Sequence, residues 1–598
     1  MKNPAKNIKW NLDSLYKGIA DPQMETDLEE IQNLTNTFIG KYKGNISKGE
    51  LSIEAFREAI VKYEDILNLL YTYESYAGLL HAKDTISDPI SRLHSKAEEF
   101  GAEITSKLVF FDLEILQIPE DILTQYLTSD LLANYLEYLK RIHTFKKFTL
   151  SEDQEIILRK KSQTSYSAFV RLYDQLSAST IYSLRIKKKV RRYNYSEITN
   201  ILSSHSDRNM REAAANSMTE VYKKDSRTYA FILNTLLLDK KISDEVRHYD
   251  YPQQATLISD EVDLETVNTM TAVIEKNYTI PEGFYTVKSK IVGDMLYEWD
   301  RYSSIYPEIE EPTYSYKLAK EIILEAFGKF SPTFKAIAEK FFKNGWIDAE
   351  LSEGKKSGAF CSYTVPGKHP VILTNYTGKA NDVRTLAHEL GHAIHGYLSR
   401  EQTLLNFWPV TPFAEIASIF AENLVFRAIY SDINDKKQKA NLLGGRIQEI
   451  FATIFRQNAF YLFESDIHAI RRIDGELSTQ EFNDLFQKRT QATFGKGLTL
   501  TEGHRYWWIP IAHFFHYNFY VFSYSFGQTL SNALYSKYLN DGSSFAEHYI
   551  EVLKMGSSKN LKDLTVKLGV DIQSPDFWQE GIEPIKYLVE DFNKLVTT

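Results

Sequence analysis

The chain has 598 residues, 43% apolar and 25% charged, with 70 basic against 79 acidic side chains and a net charge of −9. That composition excludes a disordered or collagen-like chain, and the acidic balance weighs against a nucleic-acid partner, which normally shows a basic footprint. A single cysteine, Cys361, rules out an intrachain disulfide and a thiolate metal cage, and no run of about 18 apolar residues marks a membrane span.

The first residues, Met1-Lys2-Asn3-Pro4-Ala5-Lys6, carry no apolar leader, so a cytoplasmic location is expected. Gly 27 and Pro 16 are scarce for this length, about 4.5% and 2.7% against the usual ~7% and ~5%, which favours long helices. Residues 54–80 place Ile60, Tyr63, Leu67, Leu70 and Tyr71 near helical spacing. The stretch 128–148 reads as helix, and so does 207–244, which opens on the cap signal Ser206-Asp207. A further helical stretch covers 315–342. Two short strands follow, at 358–365 and 369–374, with Pro366-Gly367 suited to the centre of a type II turn. A helix from about Asn381 to Leu398 comes next, with Asn381 or Asp382 as its cap. Another begins with Thr411 as cap and Pro412 as first helical residue. The stretches 434–472 and 511–540 also read as helix. No repeat of 20–50 residues is present, which weakens a solenoid reading. No Pro/Gly/Ser linker stands out, and the division expected is an N-terminal helical lobe over 1–200 and the remainder over 201–598.

The chemistry is concentrated in His388-Glu389-Leu390-Gly391-His392. The two histidines are i and i+4, so both imidazoles leave one helix face and can chelate one Zn²⁺. Glu389 is turned by about 100° and can act on a water at the metal without being a ligand, the arrangement of zinc peptidases. A metzincin would need a third histidine at position 398, which is Leu398. His395 shares the helix but sits awkwardly for a tetrahedral site and reads as a packed histidine. Glu415 is the better third ligand, and Glu422, seven residues on, shares its face as an outer partner for a ligand histidine. Two His, one Glu and a water make an open, catalytic site.

Three segments together resemble oligoendopeptidase F, within the thimet-oligopeptidase-like zinc peptidases. They are Gly354-Lys355-Lys356-Ser357-Gly358-Ala359-Phe360-Cys361, then Leu386 through His395, then Ala414-Glu415-Ile416-Ala417-Ser418. The opening Trp10-Asn11-Leu12-Asp13-Ser14-Leu15 is similar too, so the resemblance covers nearly the whole chain. It implies a mainly α, two-lobed fold with a deep channel that admits short peptides; the two short strands read above would form a small antiparallel sheet beside the zinc helix. It also implies substrate and oxyanion donors at His513, Tyr517 and Tyr524. The seven-residue spacing of the two tyrosines is two helical turns, which would set both hydroxyls on one face. Tyr520 and His516 read as packing or rim. An edge strand near 358–365 could pair with an extended peptide backbone. The sequence thus points to a zinc endopeptidase of oligopeptides, with one Zn²⁺ on His388, His392 and Glu415 and Glu389 as general base. An exopeptidase, or a peptide-binding protein without turnover, is the alternative; intact Glu389 and all three ligands weigh against the second.

Overall fold

The computed structural model describes residues 3–186 and 189–597, and helices dominate it. Contacts divide the chain into two interleaved units. The first takes Met1–Lys146, Glu311–Ile429 and Lys537–Asp571; the second takes Lys147–Glu310, Tyr430–Ser536 and Ile572–Thr598. The boundary expected near residue 200 falls inside the second unit, in the helix Tyr195–Ser204. Among the described residues no helix is long and apolar enough to cross a membrane.

The first unit opens with the helices Pro22–Tyr42, Ile53–Lys83 and Asp88–Leu108. The apolar spacing read at 54–80 is a packing face: Ile60, Leu67 and Leu70 are buried in a core with Ile31, Phe38 and Phe111. Side-chain acceptors start the first two helices, Asp21 for Gln23 N–H and Ser52 for Ala55 N–H, satisfying donors the first turn leaves open. The stretch 315–342 is two helices, Tyr316–Phe330 and Pro332–Lys343. Pro332 has no N–H to continue the first helix, and the Ser331 hydroxyl caps the second through Thr333 N–H at 3.1 Å.

The sheet of this unit differs from expectation in two ways. Phe360–Ser362 and Val371–Leu373 do pair antiparallel. A third strand, Ile347–Asp348, joins Val371–Leu373 in parallel, so the sheet is mixed and Phe360–Ser362 is an edge. The turn Val365–Lys368 closes with Lys368 N–H on Val365 O at 2.9 Å, but Gly367 does not take the left-handed conformation that a type II turn requires. Thr364 takes it instead, at φ 59°, held by its hydroxyl on His369 O at 3.0 Å. The N-terminal segment braces this sheet: Asn11 N–H bonds Gly345 O at 2.7 Å, and Ala349 N–H bonds Ile8 O at 2.9 Å. Trp10 packs edge-on against Phe360. The buried Lys355 ammonium ties the sheet's far end together through Asp348 Oδ1, Glu350 O and Thr374 O.

In the second unit Asp207 caps the 40-residue helix Arg208–Arg247. The stretch 434–472 is helical throughout, as Lys436–Phe451, a π turn at Ala452–Arg456, and Gln457–Ile473. The stretch 511–540 is not one helix. A single turn at His513–His516 ends at an extended Tyr517, Phe519 is left-handed at φ 57°, and helix resumes at Phe522–Asp541. Tertiary hydrogen bonds hold this break: Phe519 N–H donates to the buried Glu464 Oε1 at 2.6 Å, and the Thr256 hydroxyl to Asn518 O at 2.9 Å.

Candidate metal centre

Two helices of the first unit build the site. Ala380–Leu398 carries His388, Glu389 and His392. It begins one residue earlier than expected, and its cap is Lys379 rather than Asn381 or Asp382. Asp382 serves from inside the first turn, accepting from Lys379 N–H at 3.0 Å and Thr377 N–H at 2.8 Å. Thr411–Asp432 carries Glu415 and Glu422. Its first carbonyl acceptor is Val410 O, for Phe413 and Ala414 N–H, so Thr411 is already helical.

The helices meet at Gly391. A Cβ built there would stand 2.3 Å from Ala417 O and 2.5 Å from Ser418 Cα. Only a residue without a side chain allows this approach, and the approach puts Glu415 opposite the histidines. Glu415 Oε2 lies 3.4 Å from His388 Nε2 and 3.4 Å from His392 Nε2. These three ligand atoms lie within 4.8 Å of one another, the one such group of His, Cys, Asp or Glu among the described residues. The Ser418 hydroxyl donates to Glu415 Oε2 at 2.8 Å and fixes its rotamer. On the far side of the ring, His388 Nδ1 faces Glu422 Oε2 at 3.6 Å, and Arg384 donates to Glu422 Oε1 at 3.1 Å. Arg384, buried on the same helix as His388, was not singled out by sequence: its pairing spans 38 residues and leaves no local pattern.

Electrostatics favour a cation here. Burial opposes a charged His388, but Glu422, Glu415 and Glu389 outweigh it and raise its imidazole to about 9. Burial likewise opposes an ionised Glu415, and His392, His388 and Ser418 outweigh it, bringing the carboxyl down to about 2. With neutral imidazoles, Glu389, Glu415, Glu422 and Arg384 leave two uncompensated negative charges, which one divalent ion would neutralise. The N₂O donor set, with a side open to a cleft, fits zinc. Glu389 is 6% exposed; burial raises its carboxyl above the usual range, which suits a group that must take up and release a proton.

The cleft, of about 490 Å³, is lined by Cys361, Tyr363, His388, Glu389, His392 and Trp408 among others. The edge strand Phe360–Ser362 therefore borders it, and its outer edge carries no strand among the described residues. Burial pushes the Cys361 thiol up, and Glu389 adds to this, so the thiol stays protonated. His395 is fully buried between Tyr363 and Phe413; burial, with His392, holds it down at about 3, and its neutral ring packs rather than ligates.

The expected donor residues belong to the second unit. His513 Nε2 and the Tyr524 hydroxyl are 3.1 Å apart. Tyr520 stacks on His513. The helical argument for Tyr517 fails, because the chain is extended there and the next helix starts only at Phe522. Tyr517 is 59% exposed and contacts the rings of His516 and Tyr520. His516 pairs with Asp174 at 2.7 Å, as a rim residue would.

Comparison with known proteins gives consistent matches. The model for peptidase family M3 matches residues 201–584, and one for oligopeptidase F matches residues 114–181. Oligopeptidase PepF of Bacillus subtilis is 25% identical, over 98% of this chain and 87% of its own length. An oligoendopeptidase F homologue of Lactococcus lactis is also 25% identical, over 99% and 98%. A Chlamydophila abortus crystal structure described as a candidate peptidase superposes with a TM-score of 0.88 at 22% identity, over 98% of both chains. Oligoendopeptidase-F from Enterococcus faecium does so with a TM-score of 0.73 at 22% identity, over 96% of this chain and 99% of that one.

Proposed function

The chain belongs to peptidase family M3, and from that premise we propose that it is a zinc-dependent endopeptidase of short oligopeptides, with the ion on His388, His392 and Glu415. The observation that carries this reading is the convergence of both Nε2 atoms on one Glu415 oxygen, at 3.4 Å each, one turn from a buried carboxyl at Glu389. When bound, the ion would supply an activated water and polarise the scissile carbonyl.

The side chains divide the remaining tasks. Glu389 takes the water's proton on its carboxylate and passes it to the leaving amine, a shuttle that its raised pKa supports. Glu422, 3.6 Å from His388 Nδ1, stands where it favours a proton on that nitrogen and leaves Nε2 free, and Arg384 holds Glu422 in place. The edge strand Phe360–Ser362 binds the extended substrate backbone by strand addition, giving affinity with little side-chain selectivity. His513 and Tyr524 donate hydrogen bonds to the developing oxyanion, and Tyr517 contacts the substrate; the family resemblance supports this part, together with the His513–Tyr524 hydrogen bond. A reducing, cytoplasmic setting suits the single, half-buried cysteine.

The test is an internally quenched peptide blocked at both ends. Wild type, Glu389→Gln and chelator-treated protein are compared, with cleavage sites read by mass spectrometry. Internal cleavage, lost in both treated arms and restored to the chelated protein by zinc, is expected. Turnover that survives the chelator, or that requires a free terminus, overturns the assignment.

A further inference from the structure

The second unit holds a cavity of about 640 Å³ that no expected site residue except His513 touches. Its wall includes Arg301, Tyr302, Arg456, Gln457 and His504, and no carboxylate. In a chain of net charge −9, two guanidiniums on one cavity whose wall holds no acid stand out. Among the described residues neither pairs with a carboxylate. Arg456 donates to the Tyr302 hydroxyl at 2.5 Å, and the Arg301 guanidinium lies over the Tyr302 ring, 4.9 Å from its centre. The Nε atoms of Arg301 and Arg456, and Nδ1 of His504, are buried without a hydrogen-bond partner. Both guanidiniums are half-buried and line the cavity without a paired carboxylate, so an entering anion would meet two cationic donors on one wall.

The local backbone presents Arg456 on purpose-built geometry. It ends the π turn Ala452–Arg456, whose extra residue rotates the following helix by about 100° relative to an unbroken one. The Ser525 hydroxyl braces this turn, bonding Ile454 O at 2.9 Å and Thr453 O at 3.4 Å. The other wall groups add donors without adding charge. His504 is held between Phe486 and Trp507, and burial, with Arg301 and Arg456, pushes it well below its ordinary value, so the ring is neutral.

We propose that this cavity binds a carboxylate of the peptide substrate, with Arg301 and Arg456 as its cationic wall. A planar guanidinium fork matches a carboxylate, and the aromatic wall suits an amino-acid side chain beside it. The substrate is the source because His513, assigned above as a substrate donor, shares the wall; the proposal rests on the peptidase reading in this respect. Two carboxylates of a peptide qualify, the C-terminus and an acidic side chain.

The experiment uses matched peptide pairs on the full-length, zinc-loaded protein. One pair differs only in a C-terminal acid or amide, the other only in Glu or Gln at each position in turn. Dissociation constants are measured by fluorescence anisotropy on Glu389→Gln, and KM on wild type. At least one pair is expected to favour the charged member by about tenfold or more, and which pair does so identifies the source. In Arg301→Gln and in Arg456→Met that ratio falls toward one. Equal binding within every pair overturns the proposal, and so does an undiminished ratio in both variants. Melting curves identify a variant that does not fold; the wild-type pairs and the other variant then decide. If wild type cleaves no peptide with zinc bound, the peptidase reading fails, and the anisotropy ratios still decide the cavity's ligand.

Discussion

Replacing Gly391 by alanine would place a methyl group 2.3 Å from Ala417 O and 2.5 Å from Ser418 Cα, where contacts under 3.0 Å essentially never occur. Judged by helix propensity alone, the change should stabilise the protein by roughly 1 kcal/mol. The packing predicts the opposite. The obstructing atoms are backbone, which cannot change rotamer, so the two helices must part by roughly 0.7 Å or more. Overpacking of this kind costs about 1–3 kcal/mol, and the upper end applies, leaving a net loss of about 1–2 kcal/mol. The same displacement moves Glu415, two residues from Ala417, away from His388 and His392. Metal sites tolerate ligand shifts of only about ±0.2 Å, so zinc affinity should fall by about tenfold or more. Melting curves of the apo and zinc-loaded forms give the first quantity, and competition with a chromophoric chelator gives the second. An alanine variant that melts at or above wild type and binds zinc equally well would refute the argument that Gly391 sets the distance between the ligand helices.

Three other outcomes are expected. Glu422→Gln and Arg384→Met should each weaken zinc binding by about 10- to 100-fold with Glu389 intact, and the double variant should lose little more than either single one; additive losses would show that Arg384 does not act through Glu422. Tyr524→Phe should lower kcat by about 10²- to 10³-fold with zinc content unchanged; a change confined to KM would move Tyr524 from oxyanion donor to substrate contact. Burial raises the Glu464 carboxyl to about 8, against about 4.3 in an unfolded chain. The folded protein therefore keeps a proton that the unfolded chain releases between those values, so the residue costs stability increasingly through that window and most above it. Glu464→Gln, which keeps an acceptor for Phe519 N–H, should melt progressively higher than wild type from pH 5 to pH 8 and match it near pH 4; a difference independent of pH would contradict the buried-acid account.

How much of this was legible in the sequence follows from the range of each interaction. His388, Glu389 and His392 are fixed relative to one another by a single helical turn, and Glu415 and Glu422 by two, so spacing alone locates them. The break at 517–521 could not be read, because Phe519 adopts a conformation usually marked by glycine and is held there by Glu464, 55 residues away. The strand Ile347–Asp348 is two residues long and carries no periodicity. Gly391 reads as an ordinary helical glycine until the second helix is seen against it. The division into two units escapes any linear reading, since each unit collects three separate segments, and the Arg301–Arg456 cavity draws its wall from residues 155 apart in the chain.

The interleaving also has a consequence in time. Asn11 waits for Gly345 as its hydrogen-bond partner, which at roughly 5–20 residues per second arrives about 17–70 s later on the ribosome. The Thr411–Asp432 helix and the loop before it wait less, about 7–30 s on the same scale: Ile416 O is bonded by the Tyr549 hydroxyl, and Asn406 O by Ser557 N–H. The helix that carries Glu415 is thus synthesised well before its contact with Tyr549 can exist, whereas the Ser418 hydroxyl that holds Glu415 lies within the same turn. A chain still being translated holds His388 and His392 in an incomplete unit, and the Glu415 helix gains its full support only after the segment Lys537–Asp571 has left the ribosome.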